Sequence, residues 1–283
     1  MSSVSGRLAL QFEYDHHSAR TALQVNEQRQ PLKVVRAFCS DDGSALVHIH
    51  NVSGGVLAGD RLSIDLDVCP KAAAQVTSTG ATRVYRCRSE AQAAASSIRV
   101  RVAAGGLLEY LPDPLIPFAG SRYEQRTTID LDEGAGLFWW ETVAPGREAR
   151  GETFAYDALR LRFELRAGGI PISLESSDLV PAVRPLSSLA RLGPYLYWSS
   201  FHICRATADA STWPALEKRL LPLAGELSSP VIIWGLGRLP AHGLVVRALS
   251  LNGRDIARGL IAFWRAAKQA LYGRDAVIPR KIY

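Results

Sequence analysis

Along the first two thirds of the chain, apolar and polar residues alternate with a period of two, in short runs separated by turn residues. Residues 7–14, 45–50, 61–68, 97–102, 123–131 and 159–166 each carry this pattern or are rich in β-branched residues, and each predicts a strand. Helical spacing is nearly absent there. Strands at short intervals without intervening helices predict an antiparallel, sandwich-like or solenoid-like β architecture in place of a βαβ sheet. No repeat of fixed period is visible.

After Pro181 the pattern changes. A connector rich in Pro and Leu (PAVRPLSSLARLGP) leads to a predicted strand over 196–204. Trp213, Leu216, Leu220 and Leu223 then recur at helical spacing and predict a helix over 210–223. Two apolar strands follow, 231–234 and 243–249, and Asn252 is placed to cap a second helix that stops at Gly273. Its stripe is Ile256, Leu260, Phe263, Trp264, Ala267 and Leu271, with Arg254, Arg258, Arg265 and Lys268 mostly off it. The expectation is one domain over residues 1–283, β-rich to residue 180 and mixed β/α beyond.

The stretch NVSGGVLAGD, residues 51–60, interrupts the alternation with Gly54, Gly55 and Gly59, which suit a backbone that turns with positive φ or lets another chain segment approach closely. It lacks the Lys-Ser/Thr of a phosphate loop and opens a strand, not a helix. Two readings stand: a tight hairpin whose Asp60 is hydrogen-bonded to its own turn, or a turn that presents Asp60 to something else.

Composition narrows the class. At 283 residues and 47% hydrophobic the chain can bury a substantial core. No run of about 18 apolar residues and no apolar N-terminal leader is present, and Cys39, Cys69, Cys87 and Cys204 are scattered singly, so a cytosolic protein is expected. Charge is uneven. Residues 1–179 hold 19 Lys and Arg against 22 Asp and Glu, a net −3, and residues 180–283 hold 14 against 5, a net +9. The basic residues form no run, so a face for an acidic protein partner, or a merely solvated surface, fits as well as nucleic acid.

Candidate chemistry is sparse. There is no Gly-x-Ser-x-Gly elbow, no His-Glu-x-x-His and no Cys-His pair at metal-ligand spacing. His48 and His50 share one strand face, an arrangement found in metal sites and in ordinary strands alike, while His16 and His17 fall in a predicted loop. More unusual are carboxylates among bulky neighbours: Glu109 in GLLEYLPDP, Glu141 in GLFWWETV, Glu152 after GREARG, Glu164 in LRFEL and Glu175 in ISLES. A carboxylate buried alone costs several kcal/mol, so each needs an arginine such as Arg83, Arg147 or Arg150, a hydrogen bond, or water. Together they could instead line a wet passage of oxygen donors through which a hydrated divalent ion moves without being trapped.

Several motifs in order extend this picture: PLKVVRAF from Pro31, SGGVLAGDRL from Ser53, TSTGATRVYR from Thr77, LLEYLPDPLIPFAGS from Leu107, WWET and GREARGETF from Trp139 and Gly146, and a C-terminal FWR with PRKIY. On these the sequence resembles the urease accessory protein UreD (UreH) family over essentially its full length. The resemblance implies a mainly β fold, a helical winding of strands with two helices, and a non-enzymatic role. It implies a complex with UreF and the GTPase UreG on apo-urease, a dimer of heterotrimers formed through UreF, and delivery of transiently held nickel through an internal tunnel. Carried over by motif, the tunnel positions are Asp60, Thr82, Glu141 and Glu175, with Glu109 and Glu152 as further acidic candidates. Arg258, Arg265 and Arg280 are candidates for partner contacts. A purely structural adaptor between UreF and urease is the alternative. The chain departs from the family pattern at Arg83, where lysine is usual, at Ser176, where arginine is common, and at Lys281 in the C-terminal motif.

Overall fold

The alternating runs fold as strands; the structure, a computed structural model, describes residues 3–88 and 92–279. β1 (Ser5–Asp15) and β2 (Arg20–Arg29) form an antiparallel hairpin, and β3 (Leu32–Lys33), β4 (Ala37–Cys39) and β5 (Ala45–Asn51) follow. The chain continues through β6 (Arg61–Val68), β7 (Ala73–Ser78), β8 (Thr82–Val84), β9 (Ala94–Val102) and β10 (Leu107–Tyr110). Next come β11 (Leu115–Pro117), β12 (Arg122–Leu131), β13 (Gly136–Val143), β14 (Ala158–Ala167) and β15 (Ile170–Leu179). The C-terminal third supplies β16 (Tyr197–Arg205), α1 (Thr212–Leu227), β17 (Ile232–Arg238), β18 (Gly243–Ser250) and α2 (Gly253–Tyr272).

From β5 to β14 the long strands alternate between two sheets. One sheet has the order β15-β14-β12-β9-β6-β1-β2; the other runs β17-β18-β16-β13-β10-β7-β5-β3, with β4, β8 and β11 attached beside it. Each circuit therefore lays one strand on each sheet. β6, β9, β12 and β14 stack in parallel in the first, as do β5, β7, β10 and β13 in the second. This is the mainly β winding with two C-terminal helices that the sequence led us to expect.

The antiparallel expectation fails in the middle of the winding. Period-two alternation is common to both strand directions, and one wet face usually marks an antiparallel sheet. Here the crossover between parallel neighbours is a strand of the opposite sheet, not a helix, so the outer face of the first sheet stays open to water. The circuits begin at Arg61, Ala94, Arg122 and Ala158, in unequal steps, which is why no fixed period shows in the sequence.

Two apolar layers result. Between the sheets, Leu8, Phe12, Leu66, Val100 and Leu165 meet Val47, Val76, Leu108 and Trp139. On the far side of the larger sheet, Phe138, Phe201 and Val246 pack against Trp213 and Leu220 of α1 and Leu260, Phe263 and Trp264 of α2. α1 includes Pro222 and continues past its expected end at 223 to Leu227, with Ala224 extending the buried stripe of Trp213, Leu216 and Leu220. α2 starts where Asn252 Oδ1 accepts from the amide of Asp255 at 3.0 Å, and ends at Gly273 with φ 61°.

Two local expectations are corrected. Residues 51–60 do not form a hairpin: β5 and β6 belong to different sheets, so the stretch is a corner between them. Gly54 and Gly59 have φ of +77° and +82°, while a Cβ on Gly55 would run into the Tyr85 ring and lie 2.8 Å from the Arg83 carbonyl oxygen. Lys268, expected off the apolar stripe of α2, is buried at 2% exposure, because a carboxylate waits for it beneath the helix.

Candidate functional site

The glycine corner borders an interior space. Asn51, Gly54, Gly55 and residues 77–83 rim a cavity of about 270 Å³ that reaches between the sheets to Tyr110, Tyr123 and Gln125. A narrower cavity of about 50 Å³ continues it; Thr82, Tyr110, Pro112 and Gln125 line both, and the narrower one adds Asp113 and Glu141. One water needs roughly 10–15 Å³ of such space, so even the narrow part has room for a few.

Strand alternation puts Glu141 there. On β13, Trp139 and Val143 point between the sheets while Phe138 and Trp140 point at the helices, and Glu141 shares the inter-sheet side. Its Oε1 accepts from Gln125 Nε2 at 2.6 Å. Burial raises the Glu141 carboxyl to about 7; the Gln125 hydrogen bond opposes the rise and the charge of Glu175 adds to it. A carboxyl poised near neutrality takes up and releases a proton, or a cation in its place, with little net cost.

Beyond Glu141 the larger sheet carries Ser200 and then Arg247, paired in register across β13, β16 and β18. Glu175 reaches the same seam from β15 of the other sheet. Its Oε1 lies 2.6 Å from an Arg247 guanidinium nitrogen and 3.5 Å from His202 Nε2. Glu175, Ser200 and Arg247 line an open groove of about 710 Å³. Burial would raise the Glu175 carboxyl, yet His202 and Arg247 together hold it down at about 2.

The other acidic candidates stand apart. Asp60 is buried, with Oδ1 accepting from the amide of Val4 at 3.0 Å and Oδ2 from the amide of Leu57 at 2.9 Å, so it ties the start of the chain to the glycine corner and lines neither cavity. Glu109 lies on the helix side of the larger sheet, 3% exposed, bonded by Trp264 Nε1 at 3.1 Å, Gln75 Nε2 at 3.0 Å and Lys268 Nζ at 3.1 Å. Burial raises its carboxyl, against the pull of Lys268. Glu152 accepts from Arg147 Nε at 2.9 Å and the amide of Ala119 at 3.1 Å; the Arg147 hydrogen bond holds its carboxyl at about 2. Of the three arginines considered as partners, Arg147 alone pairs with one of these carboxylates among the described residues.

Thr82 and Glu141 thus share a cavity, Glu175 lines a separate groove two strands further along the larger sheet, and Asp60, Glu109 and Glu152 are each hydrogen-bonded elsewhere. Sequence reading missed Tyr110, Gln125, His202 and Arg247. For His202 a signal existed, a lone imidazole inside the apolar run SSFHIC; for Arg247 there was none, since an arginine in a strand reads as solvated. His48 and His50 lie on one face of β5, His48 edge-on to Phe38. Among the described residues no three His, Cys, Asp or Glu side chains converge as a metal site. Arg254, Arg258 and Arg265 are exposed on α2, whereas Phe263 and Trp264 are fully taken up by the core; Arg280 lies outside the described residues. No helix among those residues is long and apolar enough to cross a membrane.

Fold and cavities together define a two-sheet β winding with a partly polar cavity between its sheets. Compared with known proteins, the chain matches the family described as UreD urease accessory protein over residues 4–282. It is 46% identical to the urease accessory protein UreD of Herpetosiphon aurantiacus, over 100% of this chain and 98% of that one. With the UreD proteins of Nitrosococcus oceani and Cenarchaeum symbiosum it shares 32% identity each, over 96% and 93% of this chain and 88% and 92% of theirs. The chain belongs to the UreD family of urease accessory proteins.

Proposed function

We propose that this protein is a cytoplasmic urease-maturation scaffold that assembles with UreF and the GTPase UreG on apo-urease and passes nickel along the seam from Thr82 through Glu141 to Glu175. It performs no turnover of its own. The observation that supports this most is the pairing of Thr82 and Glu141 on one interior cavity, with the Glu141 carboxyl held at about 7 by its surroundings. An arriving hydrated Ni²⁺ displaces the proton from Glu141, and the proton returns as the ion leaves. Oxygen donors met singly bind a divalent ion weakly, which suits cargo that must be released.

The test is Glu141→Gln in the co-expressed system. It keeps volume and the hydrogen bond to Gln125 but removes the charge, and urease nickel content and activity should fall several-fold while the complex still co-purifies. Undiminished nickel in urease would sink the passage. The adaptor reading draws on the exposed row Arg254, Arg258 and Arg265 on α2. It predicts instead that Glu141→Gln is silent and that Arg258→Glu with Arg265→Glu abolishes co-purification with UreF, and the mass of the complex checks for a dimer of heterotrimers.

A further inference from the structure

At the groove, Glu175 is already paired with a side chain of the larger sheet. Glu141, Ser200 and Arg247 sit side by side on neighbouring strands, so their side chains share the inter-sheet face of the larger sheet. Arg247 is the last of the three and stands at the open groove, its side chain 63% exposed, with its guanidinium 2.6 Å from Glu175 Oε1. An ion that has passed Glu141 meets Glu175 next, and finds it already neutralised by Arg247. Exposed ion pairs of this kind contribute only about 0–1 kcal/mol, so the arginine can leave its place readily.

Behind the pair stands His202, 1% exposed and stacked on Phe163 with ring centres 4.4 Å apart. Its Nε2 is 3.2 Å from Ser173 Oγ and 3.5 Å from Glu175 Oε1, and its Nδ1 is buried without a hydrogen-bond partner. Two donors each about 2.1 Å from a shared ion are separated by roughly 3 to 3.5 Å at ordinary coordination angles, so Glu175 and His202 already stand at the spacing of a cation-binding pair. Binding through Nε2 would leave the ring proton on Nδ1, where it has no acceptor. That cost keeps the imidazole a weak ligand and the ion's stay short.

We infer that Arg247 is a displaceable latch on the passage: it occupies Glu175 when no cargo is present and swings into the groove when a divalent cation takes its place between Glu175 and His202. This rests on the passage reading above and adds to it a second station and its gate. The latch also keeps the station from filling with stray cations, because any ion must first displace a tethered positive charge.

The experiment is a titration of the full chain with Ni²⁺ at pH 7.5, in competition with a chromophoric chelator, which needs no urease. Removing the latch in Arg247→Met should tighten binding of one equivalent of Ni²⁺ by about three- to five-fold. Arg247→Lys should return it close to wild type, and adding Glu175→Gln or His202→Gln to Arg247→Met should cancel the gain. Equal affinity of wild type and Arg247→Met would overturn the latch, as would a gain that survives Glu175→Gln. Loss of the passage itself reads differently, as unchanged urease nickel in Glu141→Gln.

Discussion

Glu109 and Glu141 belong to neighbouring, parallel strands of one sheet and face opposite ways. Glu109 points at the helices, where Lys268, Trp264 and Gln75 all bond it and only 3% of it is exposed. Glu141 points between the sheets, where one amide contacts it and a cavity adjoins it. Both were acidic residues in apolar sequence. The difference shows that a buried carboxylate fully enclosed by donors clamps a fold, and that one left with a single donor and room beside it retains capacity for a ligand.

The sharpest way to break this comparison is Glu109→Ala. It leaves Lys268 under α2 with only the more distant carboxylate of Asp42, 3.9 Å away, as counter-charge, and urea unfolding should show a loss of up to about 3–5 kcal/mol. Glu109→Leu combined with Lys268→Met should recover most of it. A loss below about 1 kcal/mol would mean that Glu109 is no clamp.

Glu141 should behave in the opposite sense. Its folded carboxyl sits at about 7 against 4.5 for the free group, so the native state holds more protons between those values. Stability therefore falls as pH rises from about 4.5 to 7 and is level outside that window, by at most roughly 3 kcal/mol. Glu141→Gln should flatten the curve and leave the protein more stable than wild type at pH 8. A wild-type profile already flat between pH 4.5 and 7 would contradict the strained carboxyl.

The wall of the cavity is tested by Gly55→Ala. The added methyl must push aside the Tyr85 ring or the Arg83 carbonyl, and a cost of about 1–3 kcal/mol is expected in the same unfolding assay. The smallest effect belongs to Arg147→Ala. Arg147 is partly exposed and its pairing is screened by solvent, so its loss should barely change the unfolding midpoint. The clearer readout is Glu152, whose carboxyl should climb from about 2 toward 4.5 by NMR titration. In the wild type the stability from this pair is complete above pH 4.5 and is lost as pH falls through 2.

Much of the fold was legible in the sequence because alternation and helical spacing are local. The stripe from Ile256 to Ala267 and the cap at Asn252 came out as read, since each depends on residues within a turn or two. Strand direction did not, because inward and outward positions alternate identically in parallel and antiparallel sheets. Of the candidate site, the sequence showed which carboxylates are embedded but not what each one faces. Motif resemblance put forward Thr82, Glu141, Glu175, Asp60 and Glu109 alike; the oxygens of Asp60 are taken by the amide of Leu57 in its own turn and that of Val4 at the chain start, and those of Glu109 by Gln75, Trp264 and Lys268.

By itself, then, the sequence determined which residues are strand, helix and corner, and that carboxylates would be embedded among apolar neighbours. Only the tertiary structure decided which of those carboxylates meets a lysine from α2, an amide at the chain start, or an open cavity. The reason is the range of the forces involved: backbone propensity and periodic burial act over a few residues, whereas the partner of a buried charge is set by which sheet face the winding turns toward it.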